Sequence, residues 1–216
     1  MRSRVRVEKT FCTTREAAEI LGVSLRTAQL WTESGLLEAW KTTGGHRRIS
    51  RQSVEGLLAN PTVRETREDA ERDGKPRSRK EFSILVVEDE ADLRRVYELM
   101  LSRWALKPKV TTVGDGYAAL VRIGLEKPDM VIADLRMPGM DGFQMIQALR
   151  KVPELKDTGI VVVTGLDAGE IDAQGGLSDG IAVLPKPIPF DTLEEMARQL
   201  AGNLATGRSS GRRRQG

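Results

Sequence analysis

Short apolar runs recur along the second half of the chain, at SILVV (83–87), VTTV (110–113), MVIA (130–133), IVVV (160–163) and IAVL (181–184). Each is continuous rather than alternating, the pattern of a strand covered on both faces. Between them the apolar positions change to helical spacing. Leu93, Val96, Tyr97, Met100 and Leu101 make one stripe and Tyr117, Leu120 and Val121 a second. Phe143, Ile146 and Leu149 make a third, and Leu193, Met196, Ala197 and Leu200 a last one. Strands separated by helices imply an α/β domain with a five-stranded parallel sheet. A further helix belongs between Asp167 and Gly180, but Gly169, Gly175, Gly176 and Gly180 each weaken a helix interior by roughly 1 kcal/mol. A short helix is expected there.

The first sixty residues follow another rhythm. TTRE (13–16) is a capping box, with Thr13 at the cap and Glu16 three residues on, opening a helix that carries Ala17, Ala18, Ile20 and Leu21. Gly22 stops it, Ser24 caps a second helix with Leu25, Ala28 and Trp31 as the expected buried stripe, and Gly35 ends that one. Two brief helices around one tight turn make a helix-turn-helix. The following LLEAWKTTGGHRRIS predicts a hairpin turning at Gly44-Gly45, between a strand ending near Thr43 and another starting near His46. A last helix, Ser50 to Leu58, packs Val54, Leu57 and Leu58 underneath.

These patterns divide the 216 residues into a small domain at 1–60, a charged linker at 61–81, a larger domain at 82–202 and a basic tail at 203–216. The linker has few apolar anchors and no heptad pattern, and Gly74 and Pro76 interrupt any helix in it. A composition of 39% hydrophobic and 30% charged residues fits a soluble protein, and no apolar run is long enough to cross a bilayer. The basic N-terminus lacks the apolar core of a secretion signal, and the single Cys12 supports no disulfide framework. A cytoplasmic location without membrane contact is expected, with Cys12 as a small buried apolar residue.

Charge separates the two domains. Residues 1–60 carry ten basic and six acidic residues, whereas residues 83–202 carry thirteen and nineteen. A basic head suits a polyanion, and an acidic body suits cations or phosphate. In an open parallel sheet, chemistry gathers beyond the carboxyl ends of the strands. There the chain places Glu88 and Asp89 after the first strand, Asp134 after the third, Thr164 at the end of the fourth and Lys186 after the fifth. Three carboxylates in one crevice repel one another unless a cation intervenes, and oxygen-only donors suit Mg²⁺. Such a metal with Lys186 opposite stabilises a phosphoryl group in transfer. Asp134 is the candidate nucleophile, and Thr164 can donate a hydrogen bond to a phosphoryl oxygen.

VVEDE, DLRMPGMDG, VVVTG and LPKP, in this order and spacing, resemble the CheY-like receiver domain of bacterial two-component response regulators. The resemblance implies a flavodoxin-like fold, Asp134 as phosphoacceptor, and Glu88 and Asp89 as the acidic Mg²⁺ pair. It further implies the Arg136 carbonyl as a metal ligand, Thr164 as switch hydroxyl, Lys186 as phosphoryl contact and a cis bond before Pro187. The donor it implies is a phosphohistidine on a sensor kinase or phosphotransfer protein, with no catalysis beyond the domain's own phosphorylation and dephosphorylation. Val183 departs from the family, standing where many receivers carry an aromatic switch residue.

TTREAAEILGVS and GGHRR resemble the MerR and excisionase-type winged helix-turn-helix, the second and smaller domain. The resemblance implies binding to double-stranded DNA. Arg26, Thr27 and Gln29 lie at the start of the second helix, where a recognition helix reaches bases. Thr14 and Arg15 on the first helix and Lys41, Thr43, His46, Arg47 and Arg48 on the hairpin complete the candidate contacts. The long dimerisation helix of MerR proteins is missing, so pairing is expected through the receiver or by head-to-tail contact. Three functions remain open: a phosphorylation-gated transcription regulator, a phosphorelay intermediate whose head binds protein, and a constitutive DNA-binding protein with a dimerising receiver.

Overall fold

The computed structural model describes residues 9–61, 63–64, 81–152 and 158–206. The expected linker, apart from its ends, and the tail beyond residue 206 lie outside the described residues. The chain divides into two compact units, Met1–Asp73 and Gly74–Gly216.

In the first unit, β1 (Phe11–Cys12), α1 (Thr14–Leu21), α2 (Leu25–Glu33), β2 (Ala39–Lys41), β3 (Arg47–Ser50) and α3 (Arg51–Ala59) follow in order. The capping box forms as expected: Thr13 N–H donates to Glu16 Oε2 at 2.7 Å and Glu16 N–H to Thr13 Oγ1 at 3.2 Å. Gly22, at φ +64°, closes α1 in the left-handed conformation. The two-residue β1, too short to show a period, joins an antiparallel sheet in the order β1-β3-β2. Ala17, Ala18, Leu21, Ala28, Leu30, Trp31, Leu37, Ile49, Val54 and Leu57 form the buried interior.

Two expectations change in this unit. The hairpin loop is wider: β2 ends at Lys41 and β3 starts at Arg47, Gly45 N–H donates to Thr42 O at 2.8 Å, and Gly45 rather than Gly44 takes a positive φ, +77°. The α2 stripe is also rotated. Leu25 is exposed, and Thr27 joins Ala28, Leu30 and Trp31 in the interior. A threonine can sit there because Thr27 Oγ1 hydrogen-bonds Ser24 Oγ at 2.8 Å, so its polar atom is satisfied on burial.

Cys12 is buried, with its thiol 3.7 Å from Ile49 O, and burial pushes its pKa up. A raised pKa means less thiolate at a given pH, and thiolate is the reactive form. Cys12 is therefore expected to stay inert to a disulfide reagent at mildly alkaline pH and to react at once in guanidinium chloride. Rapid modification of the folded protein would contradict this packing.

The second unit contains β4 (Ser83–Val87), α4 (Ala91–Leu101), β5 (Lys109–Val113), α5 (Gly116–Glu126), β6 (Met130–Ala133), α6 (Gly142–Arg150), β7 (Gly159–Thr164), α7 (Ala168–Ala173), β8 (Ala182–Pro185) and α8 (Phe190–Ala205). All five strands are parallel, in the order β5-β4-β6-β7-β8. Alternate residues serve opposite faces. Ile84, Val86, Met130, Ile132, Val161 and Val163 meet Tyr97 and Leu101 of α4 and Leu193 and Ala197 of α8. On the other face α5 packs against β4, β5 and α6. The fourth helix of this unit, α7, has only six residues, as its glycines implied. Val96 and Tyr117, expected in buried stripes, are exposed: Tyr97 and Leu101 carry the buried face of α4, and Val96 lies to one side of it.

Candidate functional site

The order β5-β4-β6 is the geometric origin of the site. The chain leaves β4 in one direction to build β5 and returns to β4's other side to build β6, so a crevice opens between the carboxyl ends of β4 and β6. Val87 pairs with Ala133, which makes the next residues, Glu88 and Asp134, neighbours on that edge. On the next two strands, Thr164 of β7 pairs with Pro185 of β8 and Lys186 follows at once. The bond between Lys186 and Pro187 is cis, as the resemblance implied.

The side chains converge. One oxygen from each of Glu88, Asp89 and Asp134 lies within 4.8 Å of the others, with Glu88 and Asp134 buried and Asp89 exposed. Lys186 Nζ donates to Glu88 Oε2 at 2.9 Å and to Asp134 Oδ2 at 2.7 Å. The N–H groups of Leu135 and Arg136 donate to Asp134 Oδ1 at 2.6 and 3.1 Å, so both oxygens of that carboxylate are oriented. Thr164, also buried, accepts from Leu166 N–H at 3.4 Å through Oγ1, leaving its hydroxyl proton available to donate.

Electrostatics follow from burial and pairing. Burial pushes the Glu88 carboxyl above the usual carboxylate range, against the pull of Lys186. For Lys186 burial acts downward, but hydrogen bonds to Asp134 and Glu88 outweigh it and hold the ammonium above its ordinary range. The ammonium thus keeps its charge through neutral pH and loses it only as pH climbs past the range of a free lysine, whereas on the acid side the raised Glu88 carboxyl protonates, and gives up its pairing, sooner than an ordinary glutamate would. Tyr97, whose ring packs edge-on against Phe190, is also pushed up, first by burial and then by the charges of Glu88 and Asp134.

All three acids, Thr164 and Lys186 therefore stand where the strand ends put them. Arg136 is different: its N–H serves Asp134, while its exposed side chain pairs with Glu170 of α7 at 4.0 Å. Sequence reasoning missed Arg94, whose guanidinium donates to the carbonyls of Glu88 and Asp89, because no pattern marks a helical arginine that reaches back to a strand end. Gly139, at φ +82°, makes the turn, and Gly142 is the first residue of α6, where a Cβ would overlap Asp134 O.

In the first unit Arg15, Arg26, Lys41, Thr43 and His46 are exposed, and Thr14, Gln29, Arg47 and Arg48 are half-buried. Arg48 lies 5.4 Å from the centre of the Phe11 ring, and Arg47 pairs with Glu33 at 3.5 Å. Thr27 is removed from the candidate DNA contacts, because its side chain faces inward.

A model of the response regulator receiver domain matches residues 84–198, more than half of the chain. The chain belongs to the response regulator receiver family. A helix-turn-helix domain model matches residues 11–61, which joins a helix-turn-helix domain to the receiver. The response regulator PleD of Caulobacter vibrioides is 35% identical over 119 residues, 54% of this chain and 25% of that protein. The probable transcriptional regulator ycf27 of Cyanophora paradoxa is 38% identical over 119 residues, 54% of this chain and 47% of that protein. The chain thus spans about a quarter to a half of the length of these relatives. The N-terminal domain of an uncharacterized protein from Wolinella succinogenes superposes with a TM-score of 0.50 at 27% identity, covering 58% of this chain and 98% of that one. The signal receiver domain of a putative Luxo repressor protein from Vibrio parahaemolyticus gives 0.50 at 23% identity, covering 62% of this chain and all of that domain, a likeness of fold. Among the described residues no helix is long and apolar enough to cross a membrane.

Proposed function

We propose that this response regulator accepts a phosphoryl group on Asp134 and thereby alters binding of its helix-turn-helix domain to duplex DNA. The observation that carries the reading is the convergence of Glu88, Asp89 and Asp134 with Lys186 on one sheet edge. The donor set fits magnesium: all three groups are carboxylates, and the ring opens to water on the side of exposed Asp89. Glu88, Asp89 and Asp134 would hold the ion, with the Arg136 carbonyl as the further ligand that the family resemblance implies. Bound magnesium supplies charge neutralisation for the oxygens of the transferring group.

The protein's own residues do the rest. An oxygen of Asp134 attacks the phosphorus of a phosphohistidine on a kinase or phosphotransfer protein. The O–P bond forms as the P–N bond breaks, and the imidazole leaves with that electron pair and takes up a proton. Lys186 exchanges its contact with Asp134 for one with the incoming phosphoryl oxygens, and Thr164 donates its hydroxyl proton to another. No catalysis beyond this phosphorylation and its reversal by water is assigned.

The DNA half rests on exposed Arg15, Arg26 and Lys41 with half-buried Arg48 on the hairpin. Phosphate contacts release counterions, so affinity falls steeply as salt rises. The test uses duplexes selected from a random-sequence library by the whole protein, assayed by mobility shift across a salt series with and without beryllofluoride, a mimic of the aspartyl-phosphate. Affinity is expected to fall with salt and to change by several-fold or more on adding beryllofluoride. Salt-independent binding would sink the DNA reading, and an unchanged shift would sink the gating.

A further inference from the structure

We infer that Arg94 is a positioning residue for the magnesium site, holding the turn that brings Glu88 and Asp89 to one ion; this rests on the magnesium reading above. Successive strand residues point to opposite faces, so two consecutive carboxylates meet only where the strand has ended. The ending is visible at β4. Glu88 still donates its N–H to Val113 O at 3.1 Å, but the carbonyls of Glu88 and Asp89 both turn to Nη1 of Arg94, at 2.7 and 2.8 Å. One charged donor thus replaces two sheet hydrogen bonds, and charge-assisted bonds are the stronger kind.

Helix stability does not explain where Arg94 stands. It lies in the first turn of α4, whose positive dipole end disfavours a cation, and its guanidinium pairs with no carboxylate among the described residues. The neighbouring loop is shaped around it. A Cβ on Gly114 would stand 3.2 Å from Nη1 and 3.6 Å from Cζ of Arg94. Gly114 is not among the glycines at positive φ, so the guanidinium, rather than the backbone, is what a side chain there would crowd and push aside.

The sign of the effect separates positioning from proximity. A cation beside a magnesium site repels the ion, so removing a bystander would tighten binding. Removing a residue that sets the ligands loosens it, by about tenfold for supporting groups of this kind. The experiment is calorimetric titration of magnesium into the whole protein as wild type, Arg94→Met, Gly114→Ala and the double variant, with circular dichroism to confirm folding. Arg94→Met is expected to bind about tenfold more weakly, with its deficit in phosphate uptake from acetyl phosphate shrinking as magnesium is raised. Gly114→Ala keeps the charge but displaces it, and is expected to weaken binding several-fold. In the Arg94→Met background it should add nothing. Unchanged or tighter binding by Arg94→Met, or additive losses in the double variant, would overturn the role of Arg94. No magnesium uptake by the wild type would instead remove the metal reading on which it rests.

Discussion

Asp134→Asn is expected to abolish phosphoryl uptake while leaving the fold intact. The substitution keeps the shape and an amide oxygen, which can still accept from the N–H groups of Leu135 and Arg136 now bound to Oδ1. What it removes is the charge and the nucleophile. An amide oxygen is a poor attacking group, and the Lys186 ammonium, 2.7 Å from Oδ2, loses one of its two carboxylate partners. Incubation with acetyl phosphate and magnesium, followed by intact-protein mass spectrometry, should show a phosphorylated wild type. The variant should fall at least ~10³-fold lower, as when a nucleophile is deleted. Asp141→Asn is the control. Asp141 lies in the same loop but caps α6, accepting from Gln144 N–H at 2.8 Å, and asparagine caps as well as aspartate. It should be phosphorylated like the wild type. If Asp134→Asn took up phosphate at the wild-type rate, the phosphoacceptor would have to be sought elsewhere.

Much of this site was legible because it depends on backbone position. A parallel sheet covered on both faces writes each inner strand as a continuous apolar run, so the strand ends can be read from the chain and with them the level of Glu88, Asp134 and Thr164. The short α7 was legible for a similar reason, since glycine acts on the helix through the backbone. What stayed hidden depends on side-chain direction. Thr27 turned inward because Ser24 satisfies its hydroxyl, and Leu25 turned outward because the α2 stripe centres on Thr27 and Trp31. Lys186 reaching both Glu88 and Asp134 follows from a distance that spacing along the chain does not encode. Arg94 is the same case with a helix as the base, its target being two carbonyls that any sequence would have.

Lys186 also revises the argument from repulsion. Three facing carboxylates called for a cation, and the protein supplies one itself by pairing its ammonium with Glu88 and Asp134. Asp89 has no share in that pairing and is the exposed member of the three. The crevice is therefore partly neutralised by the protein itself, which suits the proposed entry of a phosphoryl group carrying further negative charge. Under the proposed phosphorylation, movement of Lys186 from Asp134 to the phosphoryl oxygens would carry its positive charge to where the added negative charge sits.

Gly142→Ala is expected to be the most damaging single-methyl change in the receiver. Gly142 opens α6 and donates its N–H to Leu135 O at 3.1 Å, closing the loop that begins at Asp134. A Cβ there would overlap Asp134 O and stand 2.8 Å from Leu135 Cα. Both obstacles are backbone, so no rotamer change relieves them: either α6 moves outward or the Asp134–Leu135 peptide does. Overpacking of this kind costs about 1–3 kcal/mol, and melting should fall by about 2–4 °C for each kcal/mol. Movement of that peptide also displaces the Leu135 N–H that orients Asp134 Oδ1, so phosphoryl uptake should fall in the fraction that stays folded. Gly202→Ala provides the contrast. It sits in α8 with nothing within 4 Å of its added methyl, so the same chemical change should raise stability by up to ~1 kcal/mol through helix propensity. Guanidinium unfolding followed by tryptophan fluorescence reads both variants, the shift being confined to the receiver transition reported by buried Trp104 and absent from that of Trp31 and Trp40 in the first unit. Equal stability for Gly142→Ala and the wild type would mean that the acceptor loop has slack, and the tight approach of α6 to Asp134 would no longer account for a glycine at position 142.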